Sequence, residues 1–299
     1  MLPSTKYACF AAGLISTAIF LAAPASADSG AIPDFAGLWG RNAFNFEPMP
    51  SGPRPVTNLE RHADGSENPS TLVGDYNNPI LKPEAAAIVK RLGERARAGD
   101  AYPDPSNQCA PYAPPFTFAM QLGLQILQAA DHLTFLYNQD DQVRRVRLND
   151  RHPAKVAPTP MGDSVGHYEG DTLVVDTIGI KTGPLAMVDR YGTPRSSSLH
   201  LIERYHLIDN KTANEIADKH QREDGPMGFN GAVLVDHNYK GQGLQLEFTV
   251  IDPETFTTPW SARITYRRTV GPWLEQICAE EITHAAKIPL MPIAGKPDF

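Results

Sequence analysis

Between Met161 and Thr177 the chain reads MGDSVGHYEGDTLVVDT, which gathers Asp163, His167, Glu169, Asp171 and Asp176 around the Gly-Asp pair at 170–171. Carboxylates and imidazoles packed this closely move protons when burial or a neighbouring charge shifts one of them toward neutral pH. Further groups of the same kind flank the stretch. His152 lies in Arg151-His152-Pro153, Arg144 in Gln142–Leu148, and Glu203 and Tyr205 in Leu199–Leu207. In the acid–base chemistry these imply, His152 or His167 is the base. Glu203 or Asp163 is the acid or orienting carboxylate, and Arg144 holds a developing oxyanion. Neither a cofactor nor a metal is expected.

Competing chemistries leave fewer marks. His167 and Glu169 share a strand face and, with His152, have the ligand types of a three-ligand metal site, but no HExxH or CxxC accompanies them. Gly162-Asp163-Ser164-Val165-Gly166 has the form G-x-S-x-G, but Ser164 lacks the strand–turn–helix setting of a serine nucleophile. Nothing in the chain matches a G-x-G-x-x-G or P-loop nucleotide signature. The alternative to catalysis is structural: Asp150, Arg151, Asp163 and Glu169 form a salt-bridged cluster that only shapes the hairpin.

The elements that must position these groups are mostly strands. A Gly-Asp pair between two strand-like runs signals a hairpin, with His167 near the end of the first strand and Asp176 inside the second. From Leu124 onward strands are expected at Leu124–Ala129, His132–Asn138, Gln142–Leu148, Ser164–Tyr168, Thr172–Ile178, Ser198–Ile208, Leu244–Ile251, Ser261–Arg268 and Glu275–Glu280. Turns fall at 138–141, 170–171, 209–211 and 241–243, and helical periodicity is nearly absent here. Pro83–Ala98 is the one clear helix, opened by Pro83, followed by Gly99 and charged enough to lie on the surface. Asp28 to Pro79 is rich in Pro, Gly, Ser and Asn and reads as an extended arm, with a strand only at Asp34–Trp39. The expected fold is mainly β: an antiparallel meander forming a lipocalin-like β-barrel or curved sheet, with one surface helix. The expected organisation is a signal peptide at 1–27, the arm with its helix at 28–115 and the barrel at 116–299.

Strand parity orients the side chains, because alternate residues share a face. Leu199, Leu201, Glu203, Tyr205 and Leu207 fall on one face, and Arg144 shares a face with Val146 and Leu148. An Arg and a Glu thus point into an apolar interior, where an ionised group is costly unless paired. The pair is either a structural clamp or the polar end of a ligand pocket. Trp260, Ala262, Ile264 and Tyr266 oppose Ser261, Arg263, Thr265 and Arg267, as in a half-buried strand. Phe135, Tyr205, Trp260 and Tyr266 are the aromatic residues expected to line the pocket.

The N-terminus has the form of a signal peptide, with Lys6, the apolar run Ala11–Ala22 and Ala25-Ser26-Ala27 as a cleavage site. A periplasmic or secreted protein cleaved near Ala27 is expected, without a membrane anchor. Lys and Arg number 27 against 34 Asp and Glu, a net charge of −7. That balance argues against nucleic acid and anionic membranes as partners. Cys109 and Cys278 outlast signal removal, and an oxidising compartment favours their pairing as a disulfide.

Pro33-Asp-Phe-Ala-Gly-Leu-Trp39 resembles the PDFxGxW opening of a large group of exported bacterial proteins. The group's other marks follow in order: Cys109-Ala-Pro, Arg151-His152-Pro153, the MGDSVGHYEGDTLVVDT stretch, Leu199-His-Leu-Ile-Glu-Arg-Tyr205, Asp252-Pro253 and Thr258-Pro259-Trp260. The resemblance implies a shared fold and export, and it implies no particular reaction. This chain departs from the commoner WEGDT by having Tyr168. Gly37-Leu38-Trp39 is also similar to the G-x-W of lipocalin first strands. The function expected is an exported lyase, isomerase or hydratase acting on a small, largely apolar molecule, aromatic or terpenoid in kind. A non-catalytic periplasmic binding protein for such a molecule is the alternative, and a purely structural protein the third reading. The sequence assigns no oligomeric state.

Overall fold

Alternation of apolar and polar residues sets most of the strands: in His132–Tyr137, Leu133, Phe135 and Tyr137 are buried and the residues between them only half-buried. The computed structural model describes residues 32–41, 43–120, 123–224, 236, 238–269 and 277–278. The expected signal segment and most of the expected strand Glu275–Glu280 lie outside the described residues. The strands are β1 (Gly37–Gly40), β2 (Glu47–Pro48), β3 (Leu124–Gln128), β4 (His132–Tyr137) and β5 (Gln142–Leu148), then β6 (Asp163–Glu169), β7 (Thr172–Ile178), β8 (His200–Asp209), β9 (Gln242–Ile251) and β10 (Trp260–Arg268). The helices are α1 (Pro83–Arg97) and α2 (Asn210–Glu223).

The sheet runs in the order β1-β3-β4-β5-β6-β7-β8-β9-β10, and β1 pairs again with β10. Nine strands therefore close into a lipocalin-like barrel, with β2 added outside on β10. One junction corrects the antiparallel meander. β5 and β6 are parallel, with Val146 opposite Ser164 and Leu148 opposite Gly166. A parallel pair needs a crossover rather than a tight turn, and residues 149–162 provide it.

The arm is more than a drape. Phe46 packs edge-on to Phe248, with ring centroids 5.0 Å apart, and Phe118 meets the same ring at 5.3 Å. Val56, Ile80, Leu81, Ala85 and Val89 belong to the same core cluster as the barrel residues. Arg41 ties the arm to the segment that leads into β3, its Nη1 donating to the Phe118 carbonyl at 2.7 Å. α1 begins with Pro at its first turn and buries Ala85, Val89 and Gly93.

The second correction is α2. The expected turn at 209–211 is a helix start, where the Asp209 side chain accepts from the Thr212 N–H at 2.9 Å, the geometry of an N-cap. Ala213, Ala217 and His220 are its buried residues, on one helical stripe. The helix packs on β9 and β10. Together with Glu47, which accepts from Thr265 N at 2.7 Å and Thr265 Oγ1 at 2.8 Å, it covers their outer face. Thr265 and Arg267 are consequently buried, so the second half of β10 is covered on both faces, whereas Ser261 and Arg263 stay half-buried. Cys109 and Cys278 are bonded, with Cα atoms 5.4 Å apart. Among the described residues no helix is long and apolar enough to cross a membrane.

Candidate functional site

The strand alternation divides the candidate residues between the two faces of one wall, β5 to β8. Arg144, Ser164, Thr177 and Glu203 point inward, and Arg147, Asp163, Asp176 and His200 point outward. Each inward residue has an outward one a step or a few steps away along its strand.

Inside, Glu203 is 0% exposed and Arg144 1%. The guanidinium meets the carboxylate through two bonds, Nη1 to Oε2 at 2.8 Å and Nη2 to Oε1 at 2.5 Å. Arg144 Nε also donates to Ser164 Oγ at 3.0 Å and Nη2 to Thr177 Oγ1 at 2.5 Å. Glu203 accepts further from the Tyr205 hydroxyl at 2.7 Å and from Thr177 Oγ1 at 3.3 Å. Phe135 stacks on Tyr205 at 5.3 Å and lies under the guanidinium at 5.9 Å. Burial works against the Arg144 charge, and the Glu203 carboxylate more than reverses this, holding Arg144 well above its ordinary range. Burial, then Glu203, pushes the Tyr205 hydroxyl up. Both partners are thus saturated by the protein itself. Of the two uses open to this pair, the geometry is that of a clamp across the barrel.

Outside, the crossover 149–162 lays His152 against the wall. Its Nδ1 faces Asp163 Oδ1 at 2.6 Å and its Nε2 faces Asp176 Oδ1 at 3.0 Å. His200 Nε2 reaches both oxygens of Asp176 at 2.9 Å. At the other end Arg147 donates to Asp163 through Nη1 at 2.8 Å and Nη2 at 3.1 Å, and to Asp150 through Nε at 2.6 Å. The result is a continuous hydrogen-bonded line of ionisable groups, Arg147–Asp163–His152–Asp176–His200. Arg147, aided by His152 and opposed by burial, holds Asp163 below its usual range. Burial lifts Asp176, and the hydrogen bonds from His200 and His152 overcome it, so the net shift is downward. The Asp176 hydrogen bond in turn raises His200.

The expected site residues do not form one constellation. Arg144, Glu203, Tyr205 and Phe135 meet inside the barrel, and His152 and Asp163 meet outside it. His167 stands apart on the outer face of β6, where its Nε2 faces Glu169 Oε1 at 3.1 Å and Glu169 pairs with Arg204 at 2.7 Å. Four residues along a strand separate it from Asp163, roughly 13 Å, so His152, His167 and Glu169 do not converge on a common ligand. Among the described residues no group of three or more His, Cys, Asp or Glu side chains is placed to hold a metal. Trp260 packs against Phe248 and Phe256, with centroids 6.0 and 5.6 Å away. Tyr266 is fully buried and pushed up by that burial. His200, Asp176, Arg147, Ser164 and Thr177 were missing from the expected site. Alternation already placed His200 opposite Glu203 in facing, but only the β6–β7–β8 register brings it to Asp176.

A recess of about 510 Å³ lies at the end of the barrel where β8 and β10 finish and β9 starts. Trp39 and Arg268 form part of its lining with Leu207, Tyr239, Gln242 and Asp171. The Arg268 guanidinium lies 4.0 Å over the Trp39 ring and 5.6 Å from that of Tyr239, within the reach of a cation–π contact. Gly37, at φ +133°, makes room for it, because a Cβ there would come within 1.4 Å of Arg268 Nη1. No protein family, curated protein or solved structure matches the chain.

Proposed function

We propose that the protein binds a small, largely apolar molecule at this end of its barrel and carries it outside the cytoplasm. The observation that supports this reading is the recess over Trp39 and Arg268. At about 510 Å³ it falls within the roughly 300–1,000 Å³ of small-molecule sites. Its lining joins an aromatic–cation stack to a few polar groups, which suits an apolar body whose orientation is fixed at one or two points. The signal-like N-terminus and the motifs shared with the exported group support the location.

A second reading, cofactor-free proton transfer on such a molecule, rests on a separate observation. The outer line of ionisable groups ends at His200, which Asp176 holds and makes more basic, as a carboxylate orients and strengthens a histidine base. One experiment separates the readings. The purified full-length protein is titrated with a panel of small aromatic and terpenoid molecules by displacement of the dye 1-anilinonaphthalene-8-sulfonate, and every bound molecule is recovered and analysed after long incubation. Saturable binding that weakens at least tenfold in Leu207→Glu, with the ligand recovered unchanged, is the expected result. No saturable binding across the panel, or equal binding by Leu207→Glu, overturns the carrier reading. A changed product whose formation is lost in His200→Ala while binding persists supports the enzyme instead.

A further inference from the structure

We propose that a second recess, walled by Arg195, binds a small organic carboxylate with an apolar body. Arg195 lies in the loop between β7 and β8 and is 9% exposed. Its backbone N–H donates to the Ala186 carbonyl at 3.0 Å, which fixes the loop. Its side chain is less well provided for. Nε and Nη1 are sealed from solvent without a hydrogen-bond partner, and no carboxylate is within ion-pair distance of the guanidinium among the described residues. Asp252 acts on it only through space, because that carboxylate is held by Ser196 N at 2.7 Å, Ser196 Oγ at 2.6 Å and Thr255 Oγ1 at 3.1 Å. Burial accordingly pushes Arg195 down to about 10. A buried cation without its anion is among the least favourable arrangements in a folded chain, so it marks a place where an anion arrives.

The recess itself specifies the anion. Its volume is about 270 Å³, and Arg195 and Lys181 line it with Pro111, Pro160, Gly183 and Leu185. No acidic side chain lines it, so the local field is positive. The proline and leucine walls favour a hydrocarbon body over a fully hydrated inorganic ion, and the Arg195 and Lys181 charges favour an anionic head such as a carboxylate. Gly183 faces open space, with nothing within 4 Å of where a Cβ would stand. The volume lies just below the roughly 300–1,000 Å³ of drug-sized sites, which sets the ligand at the size of a monocyclic or short-chain acid. The site shares no lining residue with the recess over Trp39, so the two proposals stand or fall separately.

The test is calorimetric titration of the full, disulfide-bonded chain with benzoate and hexanoate, against benzamide as the uncharged analogue and inorganic phosphate as the apolar-free anion. One of the two acids is expected to bind saturably and at least tenfold more tightly than benzamide or phosphate. Arg195→Met should weaken that binding at least tenfold, Lys181→Met by a smaller factor, and Leu207→Glu not at all. Lys181 is exposed, so its variant is expected to fold even if Arg195→Met does not. Absence of binding by both acids, benzamide binding as well as benzoate, phosphate binding more tightly than either acid, or undiminished affinity in Lys181→Met each overturns the proposal.

Discussion

Arg144 and Glu203 exchange two hydrogen bonds at a depth where neither is reached by water. Such a pair loses hydration on both sides, and its net value depends on how completely the freed donors and acceptors are met. Here Ser164, Thr177 and Tyr205 meet them. Removing one partner leaves a buried charge unpaired, so Arg144→Met and Glu203→Leu should each cost about 3–5 kcal/mol. The double variant should recover most of that loss, because two apolar side chains can replace a saturated pair at little cost. Urea denaturation midpoints of the three variants check this, and losses that simply add would show that the two residues do not act as one unit. The pair is legible in the sequence, since alternation along Leu199–Leu207 and Gln142–Leu148 turns both charges inward. Its saturation is not legible, because no local pattern fixes how the hairpin that carries Ser164 and Thr177 registers against β5 and β8. The same holds for His200 and Asp176 on the outer face.

α2 shows how an element escapes such reading. Its stripe consists of Ala213, Ala217 and His220, small or polar residues that give little hydrophobic contrast, and its Asp209-Asn210-Lys211 opening is also a good turn. What makes it a helix is the N-cap from Asp209, the Lys–Glu pairs at 211/215 and 219/223, and above all the surface it lands on. Gly243 is the decisive point of that surface: a Cβ added there would lie 2.3 Å from the Ala213 Cβ. Gly243→Ala should therefore push the helix outward and destabilise the protein by about 1–3 kcal/mol. Adding Ala213→Gly should return part of the loss, although glycine inside a helix itself costs about 1 kcal/mol. Thermal melts of the single and double variants decide it, and a Gly243→Ala protein as stable as the parent would mean the helix docks less closely than described. By contrast α1, with Pro83 at its start and a wider apolar stripe, was legible from sequence.

At the scale of the whole molecule, the Cys109–Cys278 bond joins residues 169 apart and so ties the end of the arm to the segment that follows β10. For a loop of this length the chain-entropy account gives a ceiling of about 5 kcal/mol. The Cys109→Ser/Cys278→Ser double variant should unfold at a markedly lower urea concentration with its barrel intact, as read by far-ultraviolet circular dichroism below the transition. An unchanged midpoint would place the stabilisation elsewhere. Both cysteines were readable as a pair from export and number alone, and a barrel was expected beside a curved sheet, whereas the strand that seals the ring was not readable, because β1 pairs with both β3 and β10. Closure has a further consequence. Neighbours around a ring can point alternately up and down only if their number is even, as a ring of beads takes two alternating colours only when the beads are even in number. Nine strands cannot satisfy that rule, so at least one like-directed junction is compelled by counting alone, and this chain places it between β5 and β6. The return path that this junction demands is what carries His152 up the outside of the barrel to Asp163 and Asp176. An inserted or deleted barrel strand would remove the need for that junction, and the line of ionisable groups on the outer wall would disappear with it.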